Sequence, residues 1–364
     1  MKRTALHGSH VSMGGKIVPF AGWEMPLQFQ GILAEARYVR SYAGIFDVSH
    51  MGRLDISGPD AANLLQAVLT CDIKRLAVGK AKYSLICNDL GGIIDDTVVY
   101  RTKGSSYRLV PNASNTMEVL DWLWNCRKFL SIEAQINAIT DETSMIAVQG
   151  PHSIDTLQPL CDTDLSTLGM FRIVEANVAG IKSHVATTGY TGEMGFELMT
   201  PSENARDIWA KLISYGARPC GLGARDVLRI EAGLLLHGTD INASITPIEA
   251  GLDRFVSWTK GAFHGYESLL RQKHTGITKS LVAFRLLEKG IPRNGYPIIS
   301  DDKVLGNVTS GTYSPTLDTG IGLGYVAGNG MSLGAKILID IRGRLTSAEV
   351  TKLPFYSRKK PYES

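Results

Sequence analysis

Apolar positions recur along the chain with two different periods, and these divide it into helices and strands. Helical spacing marks Ile32 to Val39, Ala61 to Leu69 (introduced by Gly58-Pro59-Asp60), Met117 to Leu130, and a segment beginning at Asn204. In the last, Ile208, Trp209, Leu212 and Ile213 form one face, and Gly216 is a stop signal. Strands are predicted at Tyr83 to Cys87 and Ile93 to Arg101, joined by the turn-forming run Asn88-Asp89-Leu90-Gly91-Gly92, and at Arg108 to Asn112, Met145 to Val148 and Ser183 to Thr187. From about Ser280 the texture changes. Leu281 to Leu286, Lys303 to Thr309, Ile321 to Val326 and Ala335 to Ile341 are short strands between Gly-, Asn- and Pro-rich turns. An α+β body followed by an all-β C-terminal module is expected.

Alternation along Gly91-Gly92-Ile93-Ile94-Asp95-Asp96-Thr97-Val98-Val99-Tyr100 singles out one carboxylate. On a strand, Asp96 shares a face with Ile94, Val98 and Tyr100, while Asp95 points the other way with Thr97 and Arg101. Two aspartates on opposite faces do not aim at one bond, which disfavours a paired-carboxylate glycosidase. Tyr83 has the parity of Leu85 and Cys87 across the hairpin, and Asn112 that of Val110. Tyr83, Asp96, Val98, Tyr100, Val110 and Asn112 would then line a mostly apolar pocket with a few polar anchors. An exposed edge strand bearing Asp96 is equally compatible with the pattern.

Three further segments carry candidate chemistry. Thr188-Gly189-Tyr190-Thr191-Gly192-Glu193-Met194-Gly195-Phe196-Glu197 is glycine-dense, suited to tight turns or close backbone approach to a ligand, or else to a hairpin with Glu197 in solvent. In Gly221-Leu222-Gly223-Ala224-Arg225-Asp226-Val227-Leu228-Arg229, the two arginines lie four apart on a helix and Asp226 can pair with Arg229. A solvated charged face is the ordinary reading of that spacing. Phe20 to Pro26 and Asp47 to Gly52 set large side chains beside glycine, as packing or interdomain contacts do.

Composition narrows the classes. With 364 residues, two or three domains are expected. Net charge of +3, from 38 basic and 35 acidic residues, argues against nucleic acid as a partner. No apolar run is long enough for a membrane span, and the N-terminus lacks secretory and import features, so a cytoplasmic protein is expected. Five scattered cysteines without CxxC spacing exclude a disulfide framework and a zinc site, and the eight histidines show no metal-ligand spacing. Gly322-Leu323-Gly324-Tyr325-Val326-Ala327 matches the letters of a dinucleotide fingerprint, but no helix pattern follows.

The chain resembles the T-protein family of the glycine cleavage system, the aminomethyltransferases. The resemblance runs from about Lys2 to Phe355 and is carried by FAGWEMP, FDVSHMG, GGIIDD, GYTGEMGFEL, GLGARDVLRIEAG and TSGTYSPTL in that order. It implies a three-domain cloverleaf with mixed α/β N-terminal and middle domains and a C-terminal antiparallel β-barrel-like domain. The implied division is 1–50 plus 138–250 for a discontinuous first domain, 51–137 for the second, which carries Asp96, 251–277 for a connecting helical segment, and 278–364 for the third. It implies tetrahydrofolate as co-substrate, no metal, and the lipoylated H-protein as partner. Ammonia is released from the aminomethylated lipoyl arm as 5,10-methylenetetrahydrofolate forms. A monomer is expected.

Carried over residue by residue, the resemblance makes Asp96 the catalytic carboxylate and Glu197 and Arg229 the folate-binding acid and base. Tyr83, Tyr100, Asn112 and Tyr190 become pocket-lining positions, and Arg358 or Tyr362 a C-terminal folate contact. Glu197 is expected to accept the pterin's ring N–H and amino group, with Arg229 orienting it or meeting the pterin oxygen. Rival readings are a folate-dependent demethylase of a small methylated compound and a non-catalytic folate-binding relative. A third, the iron–sulfur assembly relatives, carries a KGC-type cysteine, where this chain reads Lys260-Gly261-Ala262.

Overall fold

The computed structural model describes residues 1–358. Three open sheets and one closed barrel account for the strands. The expected helices form at Ile32–Ser41, Ala61–Val68, Thr116–Phe129 and Ala205–Ser214, the last followed by Gly216 at φ 93°. Each buries its apolar stripe: Leu64, Leu65 and Val68 on one, Ile208, Trp209 and Leu212 on another. Among the described residues, no helix is long and apolar enough to cross a membrane.

A five-stranded sheet runs, in spatial order, Ala81–Cys87, Ile93–Lys103, Ser106–Val110, Leu54–Ser57 and Gln135–Ala138. It packs on the helices Ala61–Val68 and Thr116–Phe129 through Leu64, Leu65, Val99, Leu109, Val119 and Leu123. A six-stranded sheet is built from Gly44–Asp47, Thr143–Gln149, Ile173–Val178, Ile181–Ala186, Gly195–Pro201 and Arg218–Pro219. A short three-stranded sheet unites Lys2–Arg3, Lys16–Phe20 and Trp23–Gln28. The 20–26 segment is therefore a hairpin, turning at Ala21 and Gly22 with φ of 48° and 80°. Phe46, Tyr100, Val110, Ala147, Val227 and Leu228 form one core cluster bridging the two large sheets and the Leu222–Glu231 helix.

The C-terminal module is a closed six-stranded antiparallel barrel of Lys279–Leu286, Thr319–Ala327, Lys303–Ser314, Pro297–Ser300, Lys336–Ile341 and Arg344–Thr351. Two strands, Pro297–Ser300 and Arg344–Thr351, go beyond the sequence expectation; the first is too short, and the second too polar, to show an apolar period. The glycines of Gly322-Leu323-Gly324 lie within a barrel strand. A Cβ on Gly322 would meet the Phe284 ring at 2.5 Å, and one on Gly324 the Asn307 carbonyl at 2.6 Å. They are spacers inside a barrel strand, where a dinucleotide fingerprint needs a turn into a helix.

Alternation fails at one position of the Ile93–Lys103 strand. Pairing with Ala81–Cys87 shifts register between Ile86 and Cys87, leaving Ile94 unpaired in a bulge. Ile94 consequently packs with Val99 in the core of the five-stranded sheet, on the face away from Asp96. Past the bulge, Asp96, Val98 and Tyr100 keep their common face.

Candidate active site

A cavity of about 980 Å³ lies where the two large sheets, the Leu222–Glu231 helix and the barrel converge. Tyr83, Asp96, Val98, Tyr100, Val110, Asn112, Tyr190, Glu197 and Arg229 all reach its wall. These residues come from segments up to 146 positions apart, brought together by packing.

Asp96 is held from two sides. The Tyr83 hydroxyl donates to Oδ2 at 3.0 Å, and the Asn112 amide donates to Oδ1 at 2.8 Å. Burial raises the Asp96 carboxyl above the ordinary carboxylate range, against the pull of those two donors. Tyr83 itself packs edge-on against Phe255 at 4.6 Å. Asn112 arrives there by a route that strand parity does not describe. The strand ends at Val110, and Asn112 caps the short turn Ala113–Asn115 with extended φ and ψ of −61° and 147°.

The same asparagine links the two aspartates. Asp95 does leave the opposite face of the strand, but Asn112 folds over the strand and bonds both carboxylates. Its amide lies 2.8 Å from Asp95 Oδ1, and its backbone N–H 3.0 Å from Asp95 Oδ2. A loop residue, unlike a strand neighbour, is free to reach around an edge.

Glu197 sits inside, 7% exposed, so the solvent-facing hairpin does not form. It belongs to the Gly195–Pro201 strand, and the hydroxyls of Thr188 and Tyr100 both donate to its Oε2, the latter at 3.5 Å. Oε1 has no hydrogen-bond donor among the described residues. The flanking glycines serve packing: a Cβ on Gly189 or Gly195 would strike the Gln149 amide at 2.1 or 2.3 Å. That amide in turn accepts from Thr191 and donates to the Thr188 carbonyl.

The arginine pair is likewise buried, and its members differ. Arg229 donates to Asp240 at 2.7 Å, Asp226 at 2.9 Å, Ser310 at 2.6 Å and the Leu234 carbonyl at 3.2 Å. Its donors are thus committed to the cavity wall, and it does not orient Glu197. The sequence does not set Arg225 apart from a solvated helix face. Its guanidinium lies over the Tyr190 ring at 4.8 Å, and its buried Nη1 has no hydrogen-bond partner among the described residues. Glu197 is the foremost charge opposing the burial that lowers its pKa. His50 is a second wall residue with an unpartnered nitrogen, Nδ1, and burial lowers it to about 4, which keeps the ring neutral. Neither was separable from ordinary helix and packing patterns in the sequence.

Arg358 stands apart from this wall, with its guanidinium on the sulfurs of Met170 (3.0 Å) and Met194 (3.5 Å). Tyr362 lies outside the described residues. Among those residues, no group of three His, Cys, Asp or Glu side chains is arranged for a metal.

The family model for the GCVT N-terminal domain matches residues 6–260, and that for the glycine cleavage T-protein C-terminal barrel domain matches 279–357. The chain belongs to the glycine cleavage T-protein family. It is 42% identical over 360 residues to the aminomethyltransferase of Listeria monocytogenes serotype 4a, with 98% of this chain and 99% of that one aligned. The aminomethyltransferase of Moorella thermoacetica is 42% identical over 364 residues, covering 99% of each. The crystal structure of glycine cleavage system aminomethyltransferase T from Bartonella henselae superposes with a TM-score of 0.92 at 32% identity, covering 98% of each chain. The protein is accordingly an enzyme, an aminomethyltransferase of the glycine cleavage system, with the α+β and barrel architecture of that family. The demethylase and non-catalytic readings are not favoured.

Proposed function

We propose that the cavity binds tetrahydrofolate beside the aminomethyl-loaded lipoyl arm of the H-protein, with Asp96 as the catalytic carboxylate. The observation that carries this reading is a carboxylate fixed by Tyr83 and Asn112 on the wall of a 980 Å³ cavity, with Glu197 and Arg225 on the same wall. The pterin edge offers a ring N–H and an amino group side by side, and Glu197 accepts from them through Oε1. Arg225, whose Nη1 is unpartnered, meets the pterin oxygen; Arg229 holds the adjoining wall through Asp240 and Ser310. Tyr83, Tyr100 and Tyr190, with Val98 and Val110, enclose the rings.

The transfer balances without a redox partner. The folate nitrogens N5 and N10 each form a bond to the transferred carbon, while its bonds to sulfur and to nitrogen break. The two protons that leave N5 and N10 end on the departing ammonia and the lipoyl sulfur. Asp96 holds the folate amine in reactive geometry and stabilises the iminium-like carbon as positive charge develops. In a mostly apolar cavity its charge acts through a low effective dielectric.

Separate sheets and core clusters support the proposed division at 51–137 and 278–364. The decisive experiment measures tetrahydrofolate-dependent ammonia release from aminomethylated H-protein by the purified enzyme. Turnover that needs both H-protein and tetrahydrofolate is expected. Equal turnover with unlipoylated H-protein would overturn the proposal.

A further inference from the structure

Asp95 is a buried carboxylate beside the cavity that the chemistry above leaves unused. It is 0% exposed and carries three N–H donors: the Asn112 backbone at 3.0 Å, the Asn112 amide at 2.8 Å and the Asn115 amide at 2.7 Å. Packing alone gives no reason for it, because an apolar side chain there would avoid the cost of burying a charge. An asparagine amide has two hydrogens. Asp95 takes one from Asn112, which directs the other at Asp96, whose Oδ1 and backbone carbonyl lie at 2.8 and 3.0 Å. Asn115 extends the network to His237 Nδ1 at 2.8 Å, and His237 Nε2 reaches the Ile93 carbonyl at 3.2 Å.

The geometry points to Asp95 as a positioning residue: by gripping Asn112 at two nitrogens, it aims the N–H that orients the Asp96 carboxylate in the cavity. The inference rests on the proposed role of Asp96.

Electrostatics supplies the readout that packing would not move. The titratable groups facing Asp96 are Tyr83, Tyr190, His237 and Asp95. No ion-paired cation touches either aspartate among the described residues. Burial and the neighbouring Asp96 charge raise Asp95, so Asp95 is already neutral where Asp96 titrates. Replacing Asp95 releases the aimed Asn112 N–H, a donor that lowers Asp96, so Asp96 then ionises only at higher pH.

The test compares Asp95→Asn, the swap Asp95→Asn/Asn112→Asp and Asp96→Asn, each as full-length enzyme with aminomethylated H-protein and tetrahydrofolate. For Asp95→Asn, kcat should fall about tenfold or more with KM for tetrahydrofolate little changed, and the acid limb of kcat should move to higher pH. The swap restores a donor facing an acceptor between positions 95 and 112, and with it the melting temperature. It also sets a carboxylate against Asp96, so kcat stays low and the acid limb moves to higher pH. Wild-type kcat and acid limb in Asp95→Asn, or recovery of wild-type kcat in the swap, would overturn the inference. If Asp95→Asn does not fold, the swap decides alone. Asp96→Asn keeps the two proposals apart: full turnover there refutes the role of Asp96, whereas its loss beside an unaffected Asp95→Asn refutes only the positioning role.

Discussion

Replacing Glu197 with glutamine changes no volume and isolates the charge on which pterin recognition is proposed to depend. Oε2 is occupied by the hydroxyls of Thr188 and Tyr100, leaving Oε1 for the ligand. If the new amide keeps its oxygen on those hydroxyls, its NH2 faces the pterin N–H groups, and donors meet donors in a buried site. Each donor left unsatisfied costs about 1–3 kcal/mol. Two such losses amount to about 2–6 kcal/mol, roughly thirtyfold or more in affinity. If the amide flips, the hydroxyls rotate to accept from it and the ligand loses only charge assistance, which sets a lower bound of about tenfold. Calorimetry with tetrahydrofolate under reducing conditions measures this, and a melting curve shows whether the fold survives. An affinity within about twofold of wild type, in a folded variant, refutes the assignment of Glu197.

Asp96→Asn should lower kcat by about a hundredfold or more with little change in tetrahydrofolate affinity. Because burial raises Asp96 and the carboxylate is the working form, the wild-type kcat should fall on the acid side at a pH above the ordinary carboxylate range; an acid limb at an ordinary aspartate value argues against it. Arg225→Met removes a cation whose Nη1 has no hydrogen-bond partner among the described residues, so it should weaken tetrahydrofolate binding with little change in the melting temperature; intact affinity in a binding assay contradicts the proposed contact. Asp240→Ala strands the buried Arg229 guanidinium, leaving Asp226, which is partly exposed, as its remaining carboxylate. It should destabilise the fold by about 3–5 kcal/mol in denaturant titration, and a loss below about 1 kcal/mol would show that Asp226 and solvent suffice.

Local pattern made the helices at Ile32–Ser41, Ala61–Val68, Thr116–Phe129 and Ala205–Ser214 and about half of the strands legible, because an amphipathic stripe or an alternating run must bury its apolar side whatever the rest of the chain does. It failed where the neighbour that matters is distant. Glu197 resembles a hairpin residue until Tyr100 and Thr188 close over it. Arg225 and Arg229 have the spacing of a solvated helix face, and only the approach of Asp240 and the barrel residue Ser310 separates the committed arginine from the unpartnered one. Ile94 obeys alternation until a bulge in its own strand turns it over.

The chain by itself determined the α+β body, the all-β C-terminal module and the choice of Asp96 over Asp95 for the face shared with Val98 and Tyr100, since periodicity is a property of consecutive residues. Tertiary structure alone decided that Asn112, leaving its strand, would bond both aspartates, and that Glu197 and Arg225 would share a cavity wall with them. Those contacts join residues far apart along the backbone, and their geometry is set by how sheets, helix and barrel pack, which no local period encodes.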